Sequence, residues 1–136
     1  MYHEIVVSRK TQDKNGVDKN VTEKYFTQNK EFLAESEQAL MQYWNGECEV
    51  LAIKQSKLRE FVNEREDDEQ SIYIITLESL FVNEITGEET STKYNVGLFA
   101  KSIPEATNIA LKYCKQGLED LSLVSVKRTK WIDVIK

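Results

Sequence analysis

A chain of 136 residues is long enough for one domain, or for two small units that share a core, and its 40% hydrophobic residues suffice for that core. The formal net charge of −5 argues against attraction of the whole surface to nucleic acid or to an anionic membrane, although a local basic patch stays compatible with it. The two cysteines, Cys48 and Cys114, are too few for a disulfide framework and predict free thiols in a reducing cytoplasm. Neither a signal peptide nor an apolar run of about 18 residues is visible, so we expect no membrane contact.

The first predicted elements are two strands joined by a tight turn. The stretch "HEIVVSRKT" (3–11) is rich in β-branched residues, and "VTEKYFT" (21–27) returns as its partner. Asn15 and Gly16 lie between them, where Asn-Gly tolerates the positive φ of a tight reversal. His3 is the only histidine, and its place near the chain start predicts an exposed or frayed side chain.

A helix and a third strand follow. In "EFLAESEQALMQYW" (31–44) the apolar residues recur at helical spacing, and Gly46 is the predicted C-terminal cap. The third strand, "CEVLAIKQS" (48–56), breaks strict alternation: Leu51 and Ile53 are predicted to share a face, and Val50 is out of phase. A β-bulge or burial of both faces would account for that break.

The second half repeats this order after an acidic segment. Residues 63–70, "NEREDDEQ", contain no apolar side chain and read as a solvated linker without the ligand spacing of a calcium loop. Two strands are then predicted within 71–82 and 90–100, with a turn at Thr86-Gly87. A helix starts at the capping box Ser102–Glu105 and ends near Gly117, and "LSLVSVKRT" (121–129) forms the last strand.

Matching segments in the same order indicate an internal duplication. The segment "IKQSKLREFV" (53–62) matches "VKRTKWIDVI" (126–135) position by position, which places Lys54 and Lys57 on Lys127 and Lys130. Upstream, Lys24-Tyr25 aligns with Lys93-Tyr94. We therefore predict a single domain, 1–136, composed of repeat unit one (1–62), the acidic linker (63–70) and repeat unit two (71–136).

The predicted fold class is α+β. Each repeat unit reads as strand, strand, helix, strand, which gives about six mainly antiparallel strands and two helices related by a pseudo-twofold axis. A single unit would bury too little apolar surface alone, so the two are expected to share a core. The pattern leaves open whether the strands form one sheet, two sheets or a barrel.

The same segments resemble a known family. The order "VTEKYF", "AESEQAL", "EVLAIKQSKLREFV", an acidic break and a final "LVSVKRTKWIDVI" is similar to domain of unknown function 4494 over nearly the whole chain. The resemblance implies an origin in Bacteroidetes or their tailed phages, including crAss-like phages, with an intracellular site, the host cytoplasm for a phage protein, and an association with replication proteins. It implies no activity, so no functional residues are carried over.

The residues do not predict an enzyme. His3 has no partner suggested by the sequence, the glycines are isolated at turns, and the carboxylates lack an apolar setting. Cysteine and histidine together are too few for a zinc site. We therefore expect no catalysis, no metal and no cofactor.

Binding is the better prediction. Lysines and arginines next to aromatic residues on strands suit single-stranded DNA or RNA, because cations contact phosphates while rings stack on bases. The candidate residues are Lys24, Tyr25, Lys54, Lys57, Arg59, Lys93, Tyr94, Lys127, Arg128, Lys130 and Trp131. The aromatic residues could equally belong to the core, and the lysines could protect strand edges. The alternative function is a protein-interaction adaptor or regulator that binds a host or phage protein, or a homodimer built through an exposed strand edge.

Overall fold

The computed structural model describes residues 2–28, 31–117 and 121–136, and its elements confirm the α+β class. In chain order they are β1 (Tyr2–Gln12), β2 (Asp18–Gln28), α1 (Leu33–Tyr43), β3 (Glu49–Gln55), β4 (Leu58–Phe61), β5 (Ser71–Val82), β6 (Glu89–Ala100), α2 (Ile103–Gln116), β7 (Leu121–Arg128) and β8 (Trp131–Ile135). Eight strands within these ranges replace the predicted six. A two-residue break divides the third strand of each half, at Ser56–Lys57 and at Thr129–Lys130.

The chain forms two compact units whose boundaries differ from those of the sequence repeats. Unit 1 is Met1–Ser56 with Lys130–Lys136, and unit 2 is Lys57–Thr129. The difference arises because β4 follows β3 along the chain but joins the sheet of unit 2, and β8 follows β7 but joins that of unit 1. Each unit therefore receives its fourth strand from the other repeat.

In unit 1 the strand order is β3-β1-β2-β8, with β8 parallel to β2 and the other neighbours antiparallel. Helix α1 covers one face of this sheet. Its Leu40 is buried with Ile5, Val7 and Tyr25, and Ile135 of β8 completes the cluster. The exchanged strand thus contributes a side chain to the core of the unit that it joins.

Unit 2 has the corresponding order β7-β5-β6-β4, with β4 parallel to β6. Helix α2 buries Ala106 and Ala110 against alternate residues of β5 and β6, which are Tyr73, Ile75, Leu77, Val96, Leu98 and Ala100. Small residues on the buried stripe of α2 let the helix approach the sheet closely. Both units have the element order that an internal duplication predicts, while the duplication itself and its pseudo-twofold axis remain predictions.

The edge strands β3 and β7 each contain one β-bulge, at matching positions of the repeat. In β3 the ladder with β1 shifts between Val6 and Val7, so that Leu51 is the extra residue. In β7 the ladder with β5 shifts between Thr76 and Leu77, which makes Val124 the extra residue. The predicted phase of β3 is therefore wrong: Val50 and Ile53 face the core, and Leu51 is 53% exposed.

The bulges also show which residues of the two units occupy equivalent positions. This equivalence corrects the sequence alignment of Lys24-Tyr25 with Lys93-Tyr94. Tyr25 pairs with Ile5, two residues before the bulge step at Val7, whereas Tyr94 pairs with Leu77, directly at the equivalent step. The two tyrosines are therefore two residues out of register. They still share a sheet side because side chains alternate with a period of two.

The predicted helix start at Ser102 is confirmed. The Ser102 Oγ accepts a hydrogen bond from the Glu105 amide at 3.3 Å, and the Glu105 carboxylate accepts one from the Lys101 amide at 2.9 Å. The turn at Asn15-Gly16 has Gly16 at φ 77°, and its counterpart has Gly87 at φ 74°, the region that favours glycine. Both predicted turns therefore form where the sequence places them.

Residues 63–70 are more ordered than a solvated linker. The side chain of Asn63 both donates to the Phe99 carbonyl at 2.9 Å and accepts from the Phe99 amide at 2.8 Å. Gln70 is buried, and its side-chain oxygen accepts from the Glu66 amide at 2.6 Å. Asn63 thereby attaches the start of the segment to β6, Gln70 bonds back within the segment, and Asp68 and Glu69 stay exposed.

Candidate interaction surfaces

Three of the predicted binding residues share one sheet face in unit 1. Lys24, Lys54 and Trp131 all lie on the side away from α1, because Lys24 and Phe26 alternate with Tyr25, and Lys54 pairs with Glu4. The Trp131 ring stacks on Phe26 with centroids 4.1 Å apart, and the Lys24 Nζ lies 5.6 Å from the Trp131 centroid. Lys54 forms an ion pair with Glu4 at 3.5 Å. This face therefore places one cation, Lys24, beside an aromatic ring, while Lys54 lies on the opposite edge strand and is paired with Glu4.

Tyr25 points the other way, into the core of unit 1. It is almost completely buried, with the rings of Tyr43 and Trp44 at centroid distances of 5.9 and 6.4 Å. Burial raises the pKa of the Tyr25 hydroxyl above its ordinary value. A ring in this position stabilises the fold and does not offer a face for stacking.

In unit 2 the predicted residues are divided between two sides of the sheet. Lys93 and Lys127 are exposed on the side away from α2, where they pair with Glu78 and Ile74. Tyr94 faces the helix side and carries the Arg59 guanidinium 4.4 Å above its ring. Arg128 is exposed and donates to the Ser71 hydroxyl at 3.3 Å. The basic and aromatic residues therefore do not form one continuous platform in this unit.

The repeated lysines have a simple structural role. Lys54 and Lys127 lie on β3 and β7, which are edge strands of their sheets and also contain the bulges. Lysines and bulges on an edge both discourage pairing with a foreign strand. Lys57 and Lys130 are exposed at the two breaks where the chain passes from one unit to the other. Protection of the strand edges explains Lys54 and Lys127. Lys57 and Lys130 lie at exposed breaks between strands, where a charged side chain stays in contact with water.

A cleft in unit 2 also contains predicted residues. It has a volume of about 630 Å³ and is lined by Arg59, Glu60, Tyr94 and Tyr113 among others. Its polar groups bind one another: the Tyr113 hydroxyl donates to the Glu60 carboxylate, and Arg59 lies over Tyr94. Burial together with this hydrogen bond raises the pKa of Tyr113. These side chains connect β4 to α2 and do not converge on a ligand.

Sequence reasoning missed a buried polar network in unit 1. His3 is only 2% exposed, and its Nδ1 lies 2.5 Å from the Ser36 Oγ, which lies 2.5 Å from the Thr27 Oγ1. The prediction of an exposed His3 is therefore wrong. Burial lowers the pKa of His3, and the nearby Glu35 carboxylate acts in the opposite direction. A histidine alternating with Ile5 and Val7 on one strand face was the signal for a buried position.

A second missed feature is an apolar hairpin end. Within the described residues β5 pairs with β7 only as far as Ser79, and β4 meets β6 only from Asn95. Residues 80–93, here called the β5–β6 arm, therefore form a two-stranded extension beyond the described residues of β7 and β4. Its exposed apolar residues are Leu80, Phe81, Val82 and Ile85, of which Phe81 is 66% and Ile85 95% exposed. The signal was the run Leu80-Phe81-Val82 directly before a turn, where the first hairpin has charged and polar residues.

No cluster of three or more histidine, cysteine or carboxylate side chains is placed for a metal ion within residues 2–28, 31–117 and 121–136. In the same ranges, no helix is both long and apolar enough to cross a membrane. No match to the chain was found among curated proteins or among solved structures. The family model described as Domain of unknown function (DUF4494) matches residues 1–136, so the chain belongs to that family.

Proposed function

We propose that this protein is a binding protein without catalytic activity, and that the β5–β6 arm is the element that contacts its protein partner. The observation that carries the proposal is the exposure of Leu80, Phe81, Val82 and Ile85 together at one hairpin end. Leu80 and Val82 lie on one face of the hairpin and Phe81 on the other, with Ile85 at the turn, so the arm exposes apolar side chains on both faces. Single exposed apolar residues are ordinary on a protein surface, whereas several close together at one hairpin end suit insertion into a partner's groove. Their burial against a partner would remove this apolar surface from water.

The charges of the arm define the chemistry of the partner. The arm contains Glu84, Glu88 and Glu89 at and near its turn, and its one basic residue is Lys93 at the base. A partner with an apolar groove bordered by lysine or arginine side chains is therefore complementary. Nucleic acid is not, because its phosphates would meet carboxylates. The origin that the family resemblance implies makes a host or phage protein the expected partner.

The cytoplasm is the proposed location. Cys48 and Cys114 are both free and partly buried, and burial raises the pKa of each thiol. Protonated, partly buried thiols are slow to oxidise and suit a reducing compartment.

The test compares two hairpin ends of the same molecule. Phe81→Ser with Ile85→Ser removes the apolar side chains of the β5–β6 arm, and Val17→Ser changes the exposed apolar residue at the other hairpin tip. Each tagged protein is used to capture partners from a nuclease-treated lysate of the cells that naturally produce it, and the captured proteins are quantified by mass spectrometry. The most enriched protein is then purified, and its affinity is measured by titration.

We expect the partner to be retained by wild type and Val17→Ser, and its affinity for the arm variant to fall at least about tenfold, as for central apolar contacts. A partner that binds all three proteins equally would contradict the proposal. So would the absence of any protein enriched by wild type over the arm variant.

Single-stranded nucleic acid binding is a second candidate, favoured by one observation. Lys24, Lys54 and Trp131 lie on the same face of the unit 1 sheet. Lys24→Glu with Lys54→Glu should then weaken oligonucleotide binding, and the affinity of the wild type should fall steeply with salt, in a fluorescence-anisotropy titration. Lys14→Glu, at an exposed hairpin turn, is the matched control. An affinity equal for all three proteins would count against this candidate.

A further inference from the structure

In the β5–β6 arm, the backbone of β6 on the side away from β5 is not paired with another described strand. Residues 89–93 pair with β5, from Glu89 opposite Val82 to Lys93 opposite Glu78. On their other side, no strand from the described part of the chain is paired with them, because β4 begins its pairing at Asn95. A row of unoccupied backbone donors and acceptors is a template for another strand. The question is which strand fits it.

The sequence of this edge is complementary to itself. When two copies of Glu89-Thr90-Ser91-Thr92-Lys93 run antiparallel with Ser91 opposite Ser91, Glu89 lies opposite Lys93 at both ends and Thr90 lies opposite Thr92. Directly opposed residues point to the same side of an antiparallel pair, so each carboxylate meets an ammonium group. Threonine pairs and opposite-charge pairs are both favourable at such positions.

We propose that two copies of this protein associate through this edge, with β6 of each copy paired antiparallel in the register Glu89–Lys93. The side chains of Glu89 and Lys93 both lie on the sheet side away from α2, because Tyr94, Val96 and Leu98 alternate with them toward the helix. The contact is the same patch on both copies, as a twofold dimer requires. The two sheets join into one through the arm.

The β1–β2 hairpin has a similar edge, but its charges are less suited to a dimer contact than those of the β5–β6 arm. In β2 the stretch Lys19–Glu23 could be aligned in the same antiparallel way, with Lys19 opposite Glu23. The Glu23 carboxylate is already bonded to the Arg9 guanidinium, so a second partner would have to compete with Arg9. Within the described residues, neither Glu89 nor Lys93 has such an ion pair. Lys93 lies opposite Glu78 across the β5–β6 ladder without an ion pair between them, so the charges of the second arm are less engaged than Glu23 is.

The inference concerns the arm of the proposed function but rests on the backbone edge and its charges instead of on Phe81 and Ile85. The two can therefore fail separately. Loss of partner capture in Phe81→Ser with Ile85→Ser tests the proposed function, and the association of the purified protein with itself tests the dimer. A dimer would also present two apolar hairpin ends and so strengthen binding to a partner that has two sites.

The experiment is a charge-exchange series on the full chain, measured by sedimentation equilibrium from low concentration to about 200 µM, which would detect a dimer with a dissociation constant in that range. Glu89→Lys and Lys93→Glu each place like charges opposite one another at both ends of the strand pair. The double variant Glu89→Lys with Lys93→Glu restores opposite charges. Lys14→Glu changes the same charge at an exposed turn and is the control.

We expect the wild type and Lys14→Glu to form dimers equally well. Each single variant should weaken the dimer at least about fourfold, because it replaces two attractive charge pairs by two repulsive ones, and the double variant should return most of the affinity. Raising the salt concentration should weaken the wild-type dimer. A wild type that stays monomeric over the whole range overturns the inference, as does a dimer that the single variants leave unchanged. Single variants that weaken the dimer without recovery in the double variant overturn the assigned register.

Discussion

At the scale of single residues, the two units differ most at three equivalent buried positions. Counted from the bulges, His3 and Thr27 of unit 1 are equivalent to Tyr73 and Leu98 of unit 2. The first buried residue of each helix makes Ser36 equivalent to Ala106. Unit 2 therefore fills with apolar and aromatic atoms a region that unit 1 fills with a hydrogen-bonded polar set. A buried polar set stabilises only while every member keeps its partner.

Ser36 lies in the middle of this set, and its removal should be costly. Ser36→Ala leaves both the His3 Nδ1 and the Thr27 hydroxyl without the partner they have now. Because buried groups that lose a partner keep their desolvation cost, we expect the free energy of unfolding to fall by about 1–3 kcal/mol. Chemical denaturation followed by circular dichroism measures it. Thr107→Ala on α2, where the half-buried residue makes only a surface hydrogen bond to the Ile103 carbonyl, should change stability by less than about 0.5 kcal/mol. Equal effects of the two substitutions would show that the network adds nothing.

His3 should also make stability depend on pH. Its pKa in the folded protein lies below the usual value of about 6.5 because burial disfavours the charged ring. As the pH falls below about 6.5, the unfolded chain binds a proton at His3 before the folded protein does. The contribution of His3 to the free energy of unfolding is therefore fully present above about pH 6.5 and decreases as the pH falls to the pKa of the folded protein. Urea unfolding at about pH 7.5 and pH 5.5 should show this decrease for the wild type and a smaller one for His3→Gln, which cannot titrate. The same decrease in both proteins would assign it to other groups.

At the scale of elements, local patterns predicted the helices and turns well but not the strand partners. The Ser102–Glu105 cap and both Asn-Gly and Thr-Gly turns are decided by residues close in sequence. A β-bulge was one of two explanations for the broken alternation of β3, and alternation alone could not say which residue leaves the ladder. The parallel partners of β4 and β8 depend on contacts far along the chain, which no local pattern contains. For the same reason Tyr25 and Trp131 looked alike, although one lies in the core and the other on the opposite face.

The fit of β4 against β6 depends on a single glycine. A Cβ on Gly97 would lie 2.6 Å from the ring of Phe61, which is closer than such atoms approach. In unit 1 the equivalent pair has the sizes reversed, with Phe26 on β2 and Val134 on β8. We expect Gly97→Ala to lower the free energy of unfolding by about 1–3 kcal/mol through overpacking.

The double variant Gly97→Ala with Phe61→Val should restore room beside β4, so its cost should be smaller than the sum of the two single costs. Thermal unfolding of the four proteins by calorimetry gives this coupling. Additive costs would mean that the ring moves aside without strain. Gly97 lies inside a strand and not at a turn. A glycine is needed there because the neighbouring Phe61 ring occupies the space of a side chain.

At the scale of the whole molecule, the repeated segment crosses from one unit to the other. In "IKQSKLREFV" the first residues end β3 in unit 1 and "LREF" forms β4 in unit 2, and "VKRTKWIDVI" makes the reverse passage. The matched sequences therefore coincide with the exchange of strands, which neither half could complete alone. Each sheet would otherwise lack the strand that lines β2 or β6.

Cutting the chain between the repeats should therefore leave the two pieces bound to each other. A protease site inserted between Asp68 and Glu69 lies at exposed residues, outside both exchanged strands. After cleavage of the folded protein, the first fragment still supplies β4 to the sheet of unit 2, and the second still supplies β8, with Ile135 in the core of unit 1. We expect the fragments to elute together in size-exclusion chromatography at the volume of the intact protein, and to separate only in denaturant. Trp131→Ala removes the stack on Phe26 and should make the cleaved pair dissociate at a lower denaturant concentration than the cleaved parent, by an amount that corresponds to about 1–3 kcal/mol. Fragments that separate in native buffer would mean that each repeat folds with its own last strand, contrary to the exchange.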